Sequence, residues 1–179
     1  MLKLSCFESR LAELQRLHPE MPVQAVSMVR FIIFLQRRLE DELAGILAQH
    51  DLSHSGWSLL MMIYSAPRQT INPSTASDVL GQSRPHMTRM TDELCARGWV
   101  ERTQDPNDRR AVEICLTAKG AAAMQEILPP MWRQYEALSG RFSAEEIDLF
   151  SGFLRRWLLD LETATHPDNP PAAPAKDIA

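Results

Sequence analysis

A mainly α-helical fold with one small β-hairpin is predicted by three features of this 179-residue chain. Long stretches repeat apolar residues at three- and four-residue steps, the period of an amphipathic helix. Two short runs, Trp99-Val100-Glu101-Arg102 and Val112-Glu113-Ile114-Cys115-Leu116, instead alternate apolar and polar residues, as a half-buried strand pair does. Between them lies Asp105-Pro106-Asn107-Asp108-Arg109-Arg110, a charged turn whose two arginines no core can use.

The elements follow in order. An amphipathic segment over 4–17 ends at His18-Pro19-Glu20, and Pro22 opens a much longer helix. Its stripe of Met28, Ile32, Leu35, Leu39, Leu43 and Ile46, widened by Val29, Ile33 and Phe34, predicts more than one packing partner. Ser53 caps the next helix, with Leu52 and Trp57 placed as a hydrophobic staple and Leu59, Leu60, Met62 and Ile63 facing inward. Asn72-Pro73 starts a helix of about two turns, with Ala76, Val79 and Leu80 as its inner face and Gly81 as its stop. Ser83 caps a further helix that buries Met87, Met90 and Leu94, with Cys95 nearby, and Gly98 ends it. The hairpin comes next, then a helix over about 118–138 that Pro129-Pro130 are expected to kink or divide. Ser143-Ala144-Glu145-Glu146 reads as a capping box before a last stripe of Ile147, Phe150, Leu154, Trp157, Leu158 and Leu161. From His166 onward the Pro/Ala-rich end has nothing to pack and reads as a disordered tail, residues 165–179.

A helix, a short glycine-containing turn and a second helix make a helix-turn-helix, although two such helices alone also read as an ordinary helical hairpin. The arginine-tipped hairpin beside them completes a winged helix-turn-helix over 51–117. The terminal regions, 1–50 and 118–164, carry wide apolar faces around this compact centre and read as dimerisation helices.

Composition fits that outline. At 45% hydrophobic and 23% charged residues the chain is ordinary for a globular protein, and its apolar runs are far short of a membrane span. The polar start after Met1-Leu2-Lys3 lacks a secretory signal, and three scattered cysteines suit a reducing compartment, so a cytoplasmic location is expected. The net charge of −4 does not favour nucleic acid, but phosphate attraction is local, decaying over roughly 8–10 Å. Between Arg84 and Arg110 six arginines (84, 89, 97, 102, 109 and 110) face five acids, so placement must decide the matter.

The candidate DNA-facing residues sit at the start of the second helix: Ser83, Arg84, Pro85, His86, Thr88 and Arg89. Arg84 and Arg89 have the forked donors that read guanine, while His86 and Thr88 suit base edges or phosphate. On the hairpin tip the candidates are Asn107, Arg109 and Arg110, with Arg109 for minor-groove insertion and Arg110 also suited to pairing with Asp108 or Asp105. The plainer alternative is a solvated helix face with ordinary charges.

Leu80-Gly81-Gln82-Ser83, the run Leu94-Cys95-Ala96-Arg97-Gly98-Trp99-Val100-Glu101-Arg102, and Asp105-Pro106-Asn107-Asp108-Arg109-Arg110 followed by Leu116-Thr117-Ala118-Lys119-Gly120 resemble the signature of the MarR family of bacterial transcription regulators. The resemblance spans about 22–161. More narrowly, Ser83-Arg84, Asp92-Glu93-Leu94, Arg97-Gly98-Trp99 and Leu128-Pro129-Pro130 are similar to the EmrR/MprA group, repressors of multidrug efflux operons. The resemblance implies a homodimer, triangular in outline, with interlocked terminal helices and two winged units on neighbouring major grooves of a pseudo-palindromic operator. It also implies release from DNA by small aromatic or phenolic compounds held between the dimer helices and the reading unit. The family wing often reads Asp-x-Arg-Asp-x-Arg, and Asn107 stands where its first arginine would be.

Arg30, Phe31, Phe34, Trp57 and Met61 are candidate lining for such an effector pocket, where the long helix meets the Ser53 helix, with Arg30 to hold a carboxylate or phenolate. Residues of these types at helical spacing also serve as plain core. Cys6 offers a second, redox-responsive reading, because some MarR relatives sense peroxide through an N-terminal-region cysteine; Cys95 and Cys115 read as small packing residues. His50 and His54 have a metal-ligand spacing, but a helix boundary between them removes its meaning, so no metal or other cofactor is expected. No phosphate loop, nucleophile elbow or metalloprotease pair argues for an enzyme. A helical protein-interaction module without DNA remains the alternative from another class, and it leaves the arginine-tipped hairpin unexplained.

Overall fold

The computed structural model describes residues 4–104 and 112–164. It contains seven α-helices among the described residues: α1 Leu4–Leu17, α2 Val23–Ala48, α3 His54–Ser65, α4 Pro73–Val79, α5 Arg84–Ala96, α6 Ala118–Ser139 and α7 Ala144–Ala164. Three strands, β1 Thr70–Ile71, β2 Val100–Gln104 and β3 Val112–Leu116, form an antiparallel sheet in the order β1-β3-β2. The predicted fold class, mainly helical with a hairpin wing, is therefore observed. Tertiary contacts divide the chain into two compact units, Met1–Met131 and Trp132–Ala179.

The first unit has its core where α3, α5, the sheet and the first half of α6 supply their apolar sides. Leu59, Leu60, Ile63, Ile114, Met124 and Ile127 are fully enclosed there. The caps read from the sequence are formed. Ser53 Oγ accepts from the Gly56 amide at 3.0 Å, and Leu52 and Trp57, the staple pair, are both buried. Asn72 Oδ1 accepts from the Ser74 amide at 2.8 Å, ahead of Pro73. Each orphan amide taken up this way contributes about 1 kcal/mol to its helix.

The sequence did not reveal β1. Arg68 and Gln69 adopt left-handed φ angles of 58° and 53°, and the chain then runs along the free edge of β3, pairing Thr70 with Cys115 and Ile71 with Ile114. Two residues carry no period, so such a strand exists only through its partner. The hairpin strands pair antiparallel, with Val100 opposite Leu116 and Gln104 opposite Val112.

Two further expectations need correction. Val79 was expected inside α4, yet it is 65% exposed, and Ser77 is buried in its stead. The inward face of this short helix runs along Ala76 and Ser77, and the Ser77 hydroxyl tolerates burial because it donates to the Gln82 carbonyl at 2.5 Å. Pro129 and Pro130 do not divide α6, which contains both. The carbonyls that lose their amide partners belong to Gln125 and Glu126, two exposed residues where water can serve instead.

In α2 only Leu43 and Leu47 are buried, while Met28, Val29, Phe31, Ile33, Leu35 and Leu39 are exposed. In the second unit the capping box of α7 is complete. Ser143 N donates to Glu146 at 2.8 Å, the Glu146 amide donates back to Ser143 Oγ at 3.2 Å, and the Ser143 hydroxyl holds the Glu145 carboxyl below its ordinary pKa. The apolar stripe of α7 is largely exposed, including Phe150, Phe153, Leu158 and Leu161.

Candidate nucleic-acid interface

The turn between α4 and α5 determines what α5 can present. Gly81 takes a φ of 59°, its amide donates to Asp78 O at 3.3 Å and the Gln82 amide to Ser77 O at 3.0 Å. This is the paired C-terminal bonding that a left-handed residue allows, and the buried Ser77 hydroxyl bolts the same turn from inside. Replacing Ser77 with Ala should cost about 1–2 kcal/mol, because the Gln82 carbonyl loses its donor. Chemical denaturation checks this, and an unchanged midpoint would mean that the bond contributes nothing.

α5 then starts on Ser83, whose hydroxyl accepts from the His86 amide at 3.4 Å, with Pro85 in the first turn. Its inner face is Met87, Met90, Thr91 and Leu94, all buried, and the Thr91 hydroxyl is satisfied by the Met87 carbonyl at 2.9 Å. With four consecutive inward positions filled, the opposite side must face out. Ser83, Arg84, Pro85, Thr88 and Arg89 are exposed and His86 is half-buried. Arg89 is held extended along this face: one terminal nitrogen lies 2.9 Å from His86 Nδ1, and its Nε is 3.8 Å from Glu93. Thr88 donates to the Arg84 carbonyl at 3.0 Å and keeps its oxygen lone pairs outward.

Two of the six arginines counted along the sequence are committed elsewhere. Arg102, on β2, pairs with Asp92 of α5 at 2.6 Å and ties the wing base to the helix. Arg97 donates to the His50 and Asp51 carbonyls and lies over the Trp99 ring at 4.9 Å. Sequence reasoning assigned no role to Arg97, Arg102 or Ser77. The one signal was Arg97 between a helix end and a tryptophan. Asn107, Arg109 and Arg110, with the pairing of Arg110 to Asp105 or Asp108, lie outside the described residues.

α5 ends on Gly98 at φ 70°, with Gly98 N donating to Cys95 O at 2.8 Å and Trp99 N to Leu94 O at 3.0 Å. The wing is then locked to α6 through Thr117. Its amide donates to Trp99 O at 3.0 Å, its hydroxyl to Gly98 O at 2.6 Å, and the same oxygen accepts from the Gly120 amide at 3.0 Å.

The residues predicted to line an effector pocket are only partly brought together. The Phe7 ring of α1 lies tilted against Phe31 and stacked on Phe34 of α2, at 5.4 and 6.3 Å, and Arg30 lies 5.9 Å from its ring centre. Arg30 and Phe34 line a cavity of about 310 Å³ with Phe7, Ile33, Arg37 and Asp41. Phe31 is exposed, Trp57 belongs to the core and Met61 is half-buried, and none of the three lines that cavity. Phe7 was missed. Its signal was an apolar position on amphipathic α1 that finds two aromatics three residues apart on α2. Cys6 is exposed on α1, whereas burial, the largest influence, pushes the Cys95 thiol up and leaves it a poor nucleophile. His50 lies in the turn after α2 and His54 opens α3.

Residues 52–112, from the staple of α3 to the start of β3, match the model of the MarR family. The transcriptional repressor MprA of Escherichia coli K12 is 32% identical over 145 residues, covering 81% of this chain and 82% of that protein. The multiple antibiotic resistance protein MarR of Salmonella typhimurium is 27% identical over 136 residues, covering 75% of this chain and 93% of its own length. Among solved structures, a MarR mutant from E. coli complexed with operator DNA superposes with a TM-score of 0.68 at 27% identity, over 75% of this chain and 96% of that one. The helix-turn-helix with its hairpin, the signature run from Leu80 to Gly120 and these likenesses agree, and the chain belongs to the MarR family.

Proposed function

We propose that this DNA-binding regulator is a ligand-responsive repressor, which occupies a pseudo-palindromic operator as a homodimer and is released by small aromatic or phenolic compounds. The observation that carries the reading is the outward face at the start of α5. Arg84, Thr88 and Arg89 stand exposed on a capped helix whose other side is wholly in the core, as a major-groove helix requires. Arg84 and Arg89 read base edges, Ser83, Pro85, His86 and Thr88 contact base edges or phosphate, and on the wing tip Arg109 enters the adjacent minor groove with Asn107 and Arg110 beside it. The E. coli MarR mutant solved on operator DNA supports this use of the fold.

Residues 51–117 form the reading unit, and 1–50 with 118–164 hold the dimer. The exposed apolar residues of α2, and separately those of α7, support the second assignment, since surfaces of this kind on a chain without a membrane-length apolar helix among its described residues call for a protein partner. Two reading helices would then sit about 34–36 Å apart, one turn of B-DNA. Effector binding shifts that spacing, and a differential affinity of a few kcal/mol between the free and DNA-competent states releases the operator. Arg30 and Phe34, with Phe7, suit an aromatic ring bearing a carboxylate or phenolate, in a cavity of ligand size, and Phe31 backs the Phe7 ring. Control of multidrug efflux is the role that the resemblance to the EmrR/MprA group implies.

A fluorescent duplex carrying the promoter upstream of the gene tests the proposal. At moderate salt it should bind at least about a thousandfold tighter than random duplex, and a simple hydroxybenzoate should release it. Equal affinity for both duplexes would end the repressor reading; a preference that survives every phenolic compound tried would end only the effector part.

A further inference from the structure

We propose that Arg97 is a positioning residue for DNA reading, a brace that fixes the tilt of α5 against the end of α2. The inference rests on the reading role proposed for α5. α2 terminates through Asp51, which takes a φ of 47°; its amide donates to Ala48 O at 3.1 Å and the Leu52 amide to Leu47 O at 3.0 Å. This closure leaves the His50 and Asp51 carbonyls turned outward at the negative end of a 26-residue helix. Arg97 forks onto both, one terminal nitrogen to each. Its guanidinium face lies 4.9 Å from the centre of Trp99, the residue before β2. A single side chain thus joins the end of α2, the end of α5 and the root of the wing.

The geometry makes the clamp consequential. Arg97 caps the C-terminal end of α5, and the outward residues Arg84 to Arg89 lie at its other end. Thirteen residues make a lever about 20 Å long, so a tilt of about 8° at the clamped end moves the reading end by roughly 3 Å. That displacement is the size of a hydrogen bond, enough to lose a bidentate base contact while leaving diffuse phosphate attraction in place. The planar fork matters as much as the charge. A lysine in the same place has one ammonium and cannot hold two carbonyls while lying flat on an indole.

The experiment uses full-length protein, an operator selected by that protein from a random duplex library, and a scrambled duplex. Arg97→Lys and Arg97→Met should each bind the operator about tenfold more weakly, within the range that coupling between sites spans, with affinity for scrambled duplex and the salt slope unchanged. In DNA-free protein with its three cysteines replaced by serine, spin labels at Ala44→Cys and Thr88→Cys should show a broader distance distribution when either substitution is added. Three results overturn the brace. One is wild-type operator affinity in Arg97→Lys with a flatter salt slope on both duplexes in Arg97→Met, which makes Arg97 a phosphate contact. Another is a lower melting temperature with the operator preference intact, which makes it a plain stabiliser. The third is an unchanged distance distribution, which decides against the brace even if the wild-type chain selects no duplex, a result that would by itself remove only the DNA-reading role.

Discussion

Gly120→Ala should be among the most damaging single-methyl additions in this chain. Gly120 sits in the first turn of α6, and a Cβ built there would lie 2.0 Å from the Trp99 carbonyl oxygen and 2.9 Å from Leu116 Cδ1. A flexible side-chain end would swing aside, but a backbone carbonyl cannot. That oxygen is already held by the Thr117 amide, and Thr117 is itself the bolt between the α5–β2 turn and α6. To admit the methyl, α6 must part from the wing root by more than 1 Å, breaking the Thr117 bonds to both Trp99 and Gly98. The expected cost is about 3 kcal/mol, the upper end of overpacking, or a melting temperature roughly 6–12 °C lower. A urea titration reads this directly, and a midpoint within error of the parent would mean that the close approach is not maintained in solution. The same contacts give the run Leu116-Thr117-Ala118-Lys119-Gly120 a physical reason. Threonine bolts and caps, and glycine three residues later lets the helix abut the carbonyl.

What the sequence disclosed and what it hid divide along the range of the interactions. Ser53, Asn72, Ser83 and Ser143 were legible as caps, and Gly81 and Gly98 as helix ends, because each acts on amides or carbonyls within a few residues of itself. The outward face at Arg84 to Arg89 was legible because the inward positions recur at helical steps. β1 was not, since Thr70 and Ile71 are a strand only by virtue of residues 45 and 43 positions away. Ser77 carries no signal of burial by itself, because its partner, the Gln82 carbonyl, lies beyond the turn. Arg97 and Arg102 entered the charge count as equals of Arg84 and Arg89, although one braces backbone carbonyls 46 and 47 residues upstream and the other pairs with Asp92. Charge along a sequence does not say which cations are already engaged.

That distinction sets the second large effect. Arg84→Ala and Arg89→Ala should each weaken operator binding and alter the preferred base at one position of each half-site. A bidentate base contact contributes about 1–3 kcal/mol of discrimination, and a symmetric dimer loses it twice, so either substitution costs roughly 2–6 kcal/mol of specific affinity. Arg89 should be the larger loss. His86 Nδ1 and Glu93 already hold its guanidinium along the exposed face, so less side-chain freedom remains to be lost on binding. Arg102→Ala serves as the internal comparison, because it removes a cation from the same neighbourhood without removing one from the reading face. Its pair with Asp92 is partly solvent-exposed and contributes at most about 1 kcal/mol to stability. Selection of preferred duplexes by the three variants separates the cases: altered base preference for Arg84→Ala and Arg89→Ala, and the parental preference for Arg102→Ala. If all three kept the parental preference and lost affinity only in step with charge, α5 would be touching phosphates alone, and the reading of bases would have to lie elsewhere in the chain.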